Sequence, residues 1–431
     1  MRSGKESFKN NIGWSFDNTY GTLPEVMLSR IAPVPVKSPK IILFNEELSK
    51  ELDLNFSSVS KEELAGMFSG NLLPKGSESI AQAYAGHQFG NFTILGDGRA
   101  ILIGEHLTKN NKRFDIQFKG SGLTPYSRNA DGRAALGPML REYIISEAIH
   151  GLNIPTTRSL AVVTTGENVI RETSLPGAIL TRVASSHMRV GTFQYAAMLN
   201  NRKLLKDLIN YAISRHYPYL KVKNNLPLEL LKAVIQKQTE LVINWMRVGF
   251  IHGVMNTDNM TISGETIDYG PCAFMDSYDP QTVFSSIDLE GRYSYFNQPD
   301  ITKWNLARFA ETLIPLINEN ENKAIEIANE EIHNFSVLYK KGWIQMMKNK
   351  IGLFGEENQD EKLINDLLNW MHKNNVDYTN TFCVLMKKDI KKDKLFQDNN
   401  FVDWYKRWNI RLNQNKKPME SSLNLMRLNN P

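Results

Sequence analysis

The chain has 431 residues, of which 42% are hydrophobic and 23% are charged, and its formal net charge is +5. This composition is that of a globular protein with more than one compact core, and so small a net charge predicts no nucleic-acid partner. Two cysteines exclude a disulfide framework, and no apolar run reaches the roughly 18 residues of a membrane span. Because Met1–Ser7 also lacks a signal-peptide core, the sequence predicts a cytoplasmic protein with no membrane partner.

The first 75 residues combine short apolar runs with five prolines. They predict a strand at 41–44 and a helical turn at 62–68, within an extension (1–75) that lies on the first lobe. Strand patterns dominate over 76–185. Phe92–Leu95 and Ala100–Ile103 flank the turn Gly96–Arg99, which predicts a hairpin.

Phe114–Lys119 alternates apolar and polar residues, which predicts a strand with Asp115, Gln117 and Lys119 on its polar face. Pro138 favours the first turn of a helix over 139–150, and Gly151 ends it. Two further strands are predicted at 159–163 and 178–181. The rest of the chain, 186–431, is predicted to be mainly helical, with helices at 227–248, 301–314, 320–345 and 360–376.

The most specific pattern is His-Gly-Val-Met-Asn-Thr-Asp-Asn at 252–259, followed by Asp-Tyr-Gly at 268–270. Protein kinases have a catalytic Asp two residues after the His, a metal-binding Asn five residues later, and then Asp-Phe-Gly. Here Val254 occupies the catalytic position, whereas Asn259 and Asp268 keep the metal-ligand positions, and their oxygens suit Mg²⁺. The pattern predicts an α+β, bilobal protein-kinase-like fold with a β-rich N-lobe, a helical C-lobe and a nucleotide site between them.

The missing Asp indicates a reaction other than ordinary phosphoryl transfer to a hydroxyl. Val254 cannot accept a proton, so Asp258 is the nearest carboxylate able to act as a general base, although it could instead be a turn or cap residue. His252 is better interpreted as a structural histidine. Asn259 and Asp268 are separated by nine residues with a Ser263–Gly264 turn, which fits a short hairpin.

Other candidates are individually weaker. Gly96 and Gly98 could cradle phosphates, but on the motif alone an ordinary turn is favoured by about three to one. Lys119 could reach phosphate oxygens if a carboxylate from the next helix holds it, with Glu142 as the candidate and Glu147 as the nearby alternative.

Four arginines pose a similar choice between an anion site and a solvated surface. Two lie in the polar loop Ser127–Arg133, and two flank the start of the second lobe at Arg182 and Arg189.

With these residues in view, the sequence resembles the selenoprotein O/YdiU family of kinase-like protein adenylyltransferases from about residue 18 to about residue 310. The blocks that carry the resemblance are Tyr84–Gly90, Leu95–Ala100, Gln117–Arg128, Asp131–Ala134, His252–Met260 and Asp268–Pro271.

The resemblance implies transfer of AMP from ATP (possibly UMP from UTP) to Ser, Thr or Tyr hydroxyls of protein substrates, with the nucleotide turned so that its α-phosphate faces the acceptor. It implies Asp258 as the base, Glu142 as the residue that orients Lys119, and Asn259 and Asp268 as ligands of Mg²⁺ or Mn²⁺. The implied nucleotide-binding residues are Gly96, Gly98, Arg99, Lys119, Asp131, Gly132, Arg182, Arg189 and Asp268.

Two alternatives remain at this point. One is a small-molecule or protein kinase-like phosphotransferase, since His252-Gly253 is similar to the His-Gly-Asp of small-molecule kinases, but the Asp is missing. The other is a pseudokinase scaffold that binds nucleotide without chemistry, against which the retained Lys119, Glu142 and metal-ligand positions argue.

Overall fold

A computed structural model describes residues 12–387 and 394–431, so Met1–Ser7 lies outside the described residues. The chain forms two compact units. The first comprises Met1–Val234, Asn256–Gly270 and Arg308–Ala328, and the second comprises the remaining three segments, Ile235–Met255, Pro271–Ala307 and Asn329–Pro431. Every residue proposed to contact nucleotide, metal or acceptor belongs to the first unit.

The first unit contains an antiparallel sheet of eight strands, in the order β1-β3-β6-β7-β10-β9-β2 with β8 pairing on β10. The strands are β1 (Leu28–Arg30), β2 (Lys40–Phe44), β3 (Ile80–Gln82), β6 (Ala100–Leu107), β7 (Arg113–Lys119), β8 (Ala134–Ala135), β9 (Arg158–Ile170) and β10 (Ser174–Ala184). β4 (Ala85–Gln88) and β5 (Asn91–Ile94) form a separate hairpin. Strands 41–44, 114–119, 159–163 and 178–181 were therefore correctly predicted within longer strands.

The two faces of the large sheet carry different side chains because strand residues alternate. Ile116 and Phe118 of β7 belong to an apolar core that α1 (Glu46–Glu51) and α2 (Lys61–Phe68) cover. The opposite face packs on α3 (Leu136–Gly151) through a smaller core. Lys119 and Gln117 lie on this second face and are buried, not solvated, at 6% and 0% exposure.

The predicted hairpin across Gly96–Arg99 is wrong. Phe92–Ile94 pairs with His87–Ala85 in the β4–β5 hairpin, whereas β6 pairs with β3 and β7. The actual turn is Phe89-Gly90, with positive φ at both residues (49° and 85°), the geometry that tight two-residue hairpins favour. Gly96–Arg99 instead connects the two sheets.

The segment 256–270 forms a turn at Ser263–Gly264, as predicted. Its arms are joined through Thr261 Oγ1, which bonds to both Glu265 N and Glu265 O, and their backbones also pair with neighbouring segments. Met260 O accepts from Val190 N at 2.8 Å, and Thr266 O accepts from Thr157 N at 2.9 Å. These bonds anchor the segment carrying Asp258 and Asp268 to the start of α4 and to the chain before β9. The first unit also contains α4 (Val190–Met198) and α5 (Arg202–His216).

After β10 the described chain is mainly helical, which confirms the predicted α+β class. The later elements are α6 (Leu226–Val248), β11 (Phe250–Ile251), β12 (Ala273–Phe274), α7 (Gln298–Ile317), α8 (Glu321–Lys350), α9 (Asp360–Lys373), α10 (Tyr378–Val384), α11 (Asn399–Asn413) and α12 (Met419–Asn429). The second unit is built on an apolar core that includes Trp404 and Trp408. Along 12–387 and 394–431, no helix combines the length and apolarity needed to cross a bilayer.

Candidate nucleotide-binding and catalytic site

The centre of the candidate site is the carboxylate of Asp268, on which three cations converge. Its Oδ1 accepts from Lys119 Nζ at 2.8 Å and from Arg182 Nη1 at 2.6 Å, and its Oδ2 accepts from Arg189 Nη1 at 2.7 Å. Burial alone would raise the pKa of Asp268, but the charges of Lys119, Arg182 and Arg189 outweigh it and hold the pKa well below its usual value. Asp268 is therefore ionised throughout the physiological pH range.

Lys119 is held from the other side by α3. Its Nζ donates to Glu142 Oε2 at 2.6 Å, and Glu142 Oε1 accepts from Arg182 Nη1 at 3.2 Å. The alternative partner, Glu147, pairs with Arg158 at 2.8 Å instead. Lys119, Arg182 and Arg189 thus share the carboxylates of Asp268 and Glu142, and their remaining N–H groups are donors that suit an anionic ligand.

Arg182 is fixed by two residues that the sequence analysis did not single out. Gln117 lies opposite Arg182 in the β7–β10 register, and its Oε1 accepts from Arg182 Nη2 at 2.6 Å and from Nε at 3.2 Å. Gln117 Nε2 donates in turn to Asp97 Oδ2 at 3.4 Å. Burial raises the pKa of Asp97 to about 6, against the opposing charge of Arg189. The alternation of β7 did indicate that Gln117 shares a face with Lys119.

Asp258 lies in a 3-10 turn, Thr257–Asn259, and is 7% exposed. Burial raises the pKa of this carboxyl to about 6, against the nearby charge of Arg189, so it is largely ionised at neutral pH. Arg189 Nη1 donates to the Asp258 backbone carbonyl at 2.7 Å, and the guanidinium carbon lies 4.6 Å from the centre of the Tyr84 ring. One guanidinium therefore connects the segment of Asp258 with the carboxylate of Asp268.

The glycines of the Gly96–Arg99 turn make room for protein atoms. A Cβ at Gly96 would lie 2.4 Å from the Tyr126 ring, and one at Gly98 would lie 2.8 Å from Tyr126 O. Thr124 Oγ1 donates to Asp97 O at 2.7 Å, and Ser127 Oγ donates to Gly98 O. Packing against the loop 121–133 is thus one reason for glycine at these positions, whether or not a phosphate also approaches. Arg99 is exposed.

Asp131 and Gly132 lie at the base of the same loop. Asp131 pairs with Arg171, a residue not selected from the sequence, at 2.8 Å and 3.1 Å, and this hydrogen bonding lowers its pKa. Gly132 has a φ of 67°, and a Cβ there would lie 2.2 Å from Gly122 O. Gly132 O accepts from Gly122 N at 3.0 Å and closes the loop. Asp131 and Gly132 therefore shape the loop, and the ion pair of Asp131 is with Arg171 and not with the three cations on Asp268.

The donor set fits a divalent cation that arrives with phosphate. In the described parts of the chain, no three His, Cys, Asp or Glu side chains gather as a metal site. Mg²⁺ commonly takes only one or two carboxylates and completes its shell with phosphate oxygens and water. A carboxylate offers about four acceptor positions, and the three donors on Asp268 leave one on Oδ2. Asn259, the second ligand predicted from the sequence, ends the 3-10 turn Thr257–Asn259 and is half-buried.

Comparisons with known proteins extend over the whole described chain. The family model described as protein adenylyltransferase SelO matches residues 12–431. The protein nucleotidyltransferase YdiU of Pelagibacter ubique is 61% identical over 420 residues, which cover 97% of this chain and 87% of that protein. The protein of the same name from Nitrosococcus oceani is 60% identical over 431 residues, covering 100% and 87%.

Among solved structures, the likeness is weak. ROP2 of Toxoplasma gondii, described as a virulence factor with a protein-kinase fold and no enzymatic activity, aligns with a TM-score of 0.27 and 8% identity over 78% of this chain and 88% of that structure. The ROP18 kinase domain in complex with AMP-PNP and sucrose aligns with a TM-score of 0.28 and 12% identity over 78% and 87%. Scores of this size carry no argument about the present site.

Proposed function

The chain belongs to the protein adenylyltransferase SelO family, and on that premise we propose that it transfers AMP from ATP to Ser, Thr or Tyr hydroxyls of proteins and releases pyrophosphate. The observation that carries this proposal is the cluster of Lys119, Arg182 and Arg189 around Asp268, with the buried carboxyl of Asp258 tied to it through Arg189. An anion-binding cluster beside a proton acceptor is what nucleotidyl transfer needs.

The cations bind and orient the polyphosphate. Nucleotide phosphates bring more negative charge than the single Asp268 carboxylate, so Lys119, Arg182 and Arg189 can exchange part of their contact with Asp268 for contact with phosphate oxygens. The bonds from Lys119 to Glu142 and from Arg182 to Gln117 do not involve the nucleotide, so they can hold both cations in place during this exchange. We assign the remaining resemblance-derived positions, Gly96, Gly98, Arg99, Asp131 and Gly132, to the same nucleotide as part of the proposal.

Asn259 and Asp268 would hold Mg²⁺ or Mn²⁺. When bound, such an ion neutralises phosphate charge and fixes the geometry of the phosphate groups. Three cations bonded directly to Asp268 disfavour a bare divalent ion at this carboxylate, so the ion is expected to enter as its nucleotide complex.

Asp258 takes the proton of the acceptor hydroxyl. The hydroxyl oxygen forms a bond to the α-phosphorus, the bond between that phosphorus and the oxygen bridging to the β-phosphate breaks, and pyrophosphate leaves with the electron pair. A carboxyl with a pKa of about 6 is ionised at neutral pH yet basic enough to accept a proton in the transition state. Valine at position 254, where kinases have the catalytic Asp, is compatible with this chemistry because the proposed base is Asp258.

Labelled nucleotides test the proposal. Protein incubated with α-³²P-ATP and Mg²⁺ or Mn²⁺ is expected to label acceptor protein, whereas γ-³²P-ATP is expected to leave it unlabelled. Label from the γ position alone would support a kinase, and no label from either would support a scaffold. Asp258→Ala and Asp268→Ala are each expected to abolish α-labelling, and a fully active Asp268→Ala would remove the proposed metal site. Parallel reactions with α-³²P-UTP test UMP transfer.

We also propose a cytoplasmic location, because two cysteines in a chain of this length fit a reducing compartment.

A further inference from the structure

The β4–β5 hairpin is attached to the segment that carries Asp258. The His87 N–H donates to Thr257 Oγ1 at 2.7 Å, and the Phe89 N–H donates to Asn256 Oδ1 at 3.2 Å. The two-residue turn Phe89-Gly90 is what brings the Phe89 amide to this position. Two backbone donors of the hairpin therefore fix the residues directly before Asp258.

A side chain of α4 closes this arrangement into a ring. Thr257 Oγ1 donates to Gln194 Oε1 at 2.6 Å, and Gln194 Nε2 bonds to His87 Nδ1 at 2.8 Å. The β4–β5 hairpin, the segment before Asp258 and α4 are therefore each bonded to the other two. A ring of this kind restrains the backbone around Asp258 more tightly than any single contact would.

Two hairpin residues also act on the Asp258 side chain directly. A Cβ at Gly86 would lie 2.4 Å from Asp258 Oδ1 and 2.9 Å from its Cβ, so only glycine leaves space for the carboxyl where it lies. The side chain of Gln88 lies close enough to the same carboxyl to lower its pKa. The Oδ1 atom is buried and makes no hydrogen bond within the described structure. The carboxyl therefore packs against Gly86 through Oδ1, with the side chain of Gln88 beside it.

We propose that Gly86 and Gln88 are positioning residues for proton transfer: the hairpin sets the place and orientation of the Asp258 carboxyl toward the acceptor hydroxyl. This inference rests on the proposed role of Asp258 as the base. Gly86 defines how closely the carboxyl approaches β4, and Gln88 selects its orientation. The residues proposed to bind nucleotide, Lys119, Arg182 and Arg189, lie outside the hairpin, so the hairpin is expected to affect the chemical step more than ATP affinity.

The test compares the steady-state constants of wild type with those of five variants in the full chain. Gly86→Ala is expected to lower kcat for AMP transfer by about 100-fold, the scale of a misplaced catalytic group. Gln88→Met keeps the length of the side chain, removes its polar group beside Asp258, and is expected to lower kcat by about tenfold. In both variants the KM for ATP and the Kd for ATP are expected to stay within about twofold of wild type.

Two matched pairs separate positioning from folding. Gly137→Ala, on α3 where a Cβ meets nothing within 4 Å, is the control for Gly86→Ala and is expected to retain wild-type kcat. Thr257→Val removes the acceptor of the His87 N–H, and Thr257→Ser is expected to recover most of the rate that Thr257→Val loses. If Gly86→Ala does not fold, Gln88→Met and the Thr257 pair carry the test.

Wild-type kcat in Gly86→Ala and Gln88→Met would overturn the inference. So would a parallel loss of kcat, ATP affinity and melting temperature, because that pattern indicates general disruption. A failure of the proposed function is distinguishable from both: the wild-type protein would then transfer no AMP, or Asp258→Ala would remain active.

Discussion

Removing the carboxylate of Asp268 is expected to destabilise the nucleotide-free protein, since three cations then lose their shared partner. Arg182 and Arg189 are each 2% exposed, and neither can be neutralised by losing a proton at any ordinary pH. Removing one partner of a buried ion pair costs about 3–5 kcal/mol. Glu142 still serves Lys119 and Arg182, and the Asp268 side chain is 21% exposed. We therefore expect Asp268→Ala to lower the free energy of unfolding by about 2–3 kcal/mol.

The assay is thermal unfolding without nucleotide at pH 7.5, where a loss of this size corresponds to a fall of roughly 4–10 °C in Tm. Asp131→Ala is the matched control, because Asp131 also pairs with an arginine, but at 45% exposure for the Asp and 38% for Arg171. An exposed pair of that kind contributes about 0–1 kcal/mol, so the control is expected to shift Tm little.

ATP added without metal is expected to stabilise Asp268→Ala more than wild type, because its phosphate oxygens replace the lost acceptors. Equal Tm for Asp268→Ala and wild type, or equal shifts for Asp268→Ala and Asp131→Ala, would refute the reasoning.

Three further outcomes are expected. Lys119→Ala raises the KM for ATP by about 10- to 100-fold, the effect of losing a charge-assisted hydrogen bond, and Glu142→Gln raises it less; an unchanged KM in Lys119→Ala would contradict the phosphate role. Calorimetry with Mn²⁺ alone detects no saturable site at micromolar concentration, Mn²⁺ with ATP binds, and chelation by EDTA stops α-labelling; tight binding of Mn²⁺ alone would argue against entry as a nucleotide complex. Burial raises the pKa of Glu265 to about 7, although Ser185 and Ser263 donate hydrogen bonds to it. The folded protein therefore binds the proton of Glu265 more tightly than the unfolded chain does. This binding contributes to the free energy of unfolding below about pH 4.5, and the contribution is lost as the pH rises to about 7. Glu265→Gln is therefore expected to gain Tm relative to wild type as the pH rises through this window, and a difference in Tm that does not vary with pH would contradict the shift.

Local sequence patterns were sufficient to predict the part of the candidate site that is formed by one strand and the helix that follows it. The alternation of Phe114–Lys119 placed Lys119 on the polar face, and a carboxylate one turn into the next helix was the natural partner. Helix and strand centres were likewise predictable, with ends that differ by a few residues. Periodicity does not encode whether a polar face meets water or another layer, so the burial of Gln117 and Lys119 was not predictable.

Other features depend on contacts between distant segments, which spacing alone does not reveal. The Phe89-Gly90 turn requires Phe89 at a φ of 49°, a conformation that bulky residues seldom adopt, so the glycine-rich Gly96–Arg99 stretch was the more obvious hairpin and the wrong one. Asp97 was not predictable as a site residue for the same reason, because a residue between two glycines is typical of a turn. Its link to Gln117 appears only when β7 and the Gly96–Arg99 turn are adjacent.

The two bonds of Arg189 Nη1, to the main chain of Asp258 and to the side chain of Asp268, have a practical meaning for mutagenesis. Any replacement of Arg189 perturbs the proposed proton acceptor and the proposed ion-binding carboxylate together, so its kinetic defect cannot be divided between affinity and turnover. Lys119 contacts Asp268 but not Asp258, and Gln88 lies beside Asp258. Substitutions at these two positions can therefore separate effects on nucleotide affinity from effects on turnover.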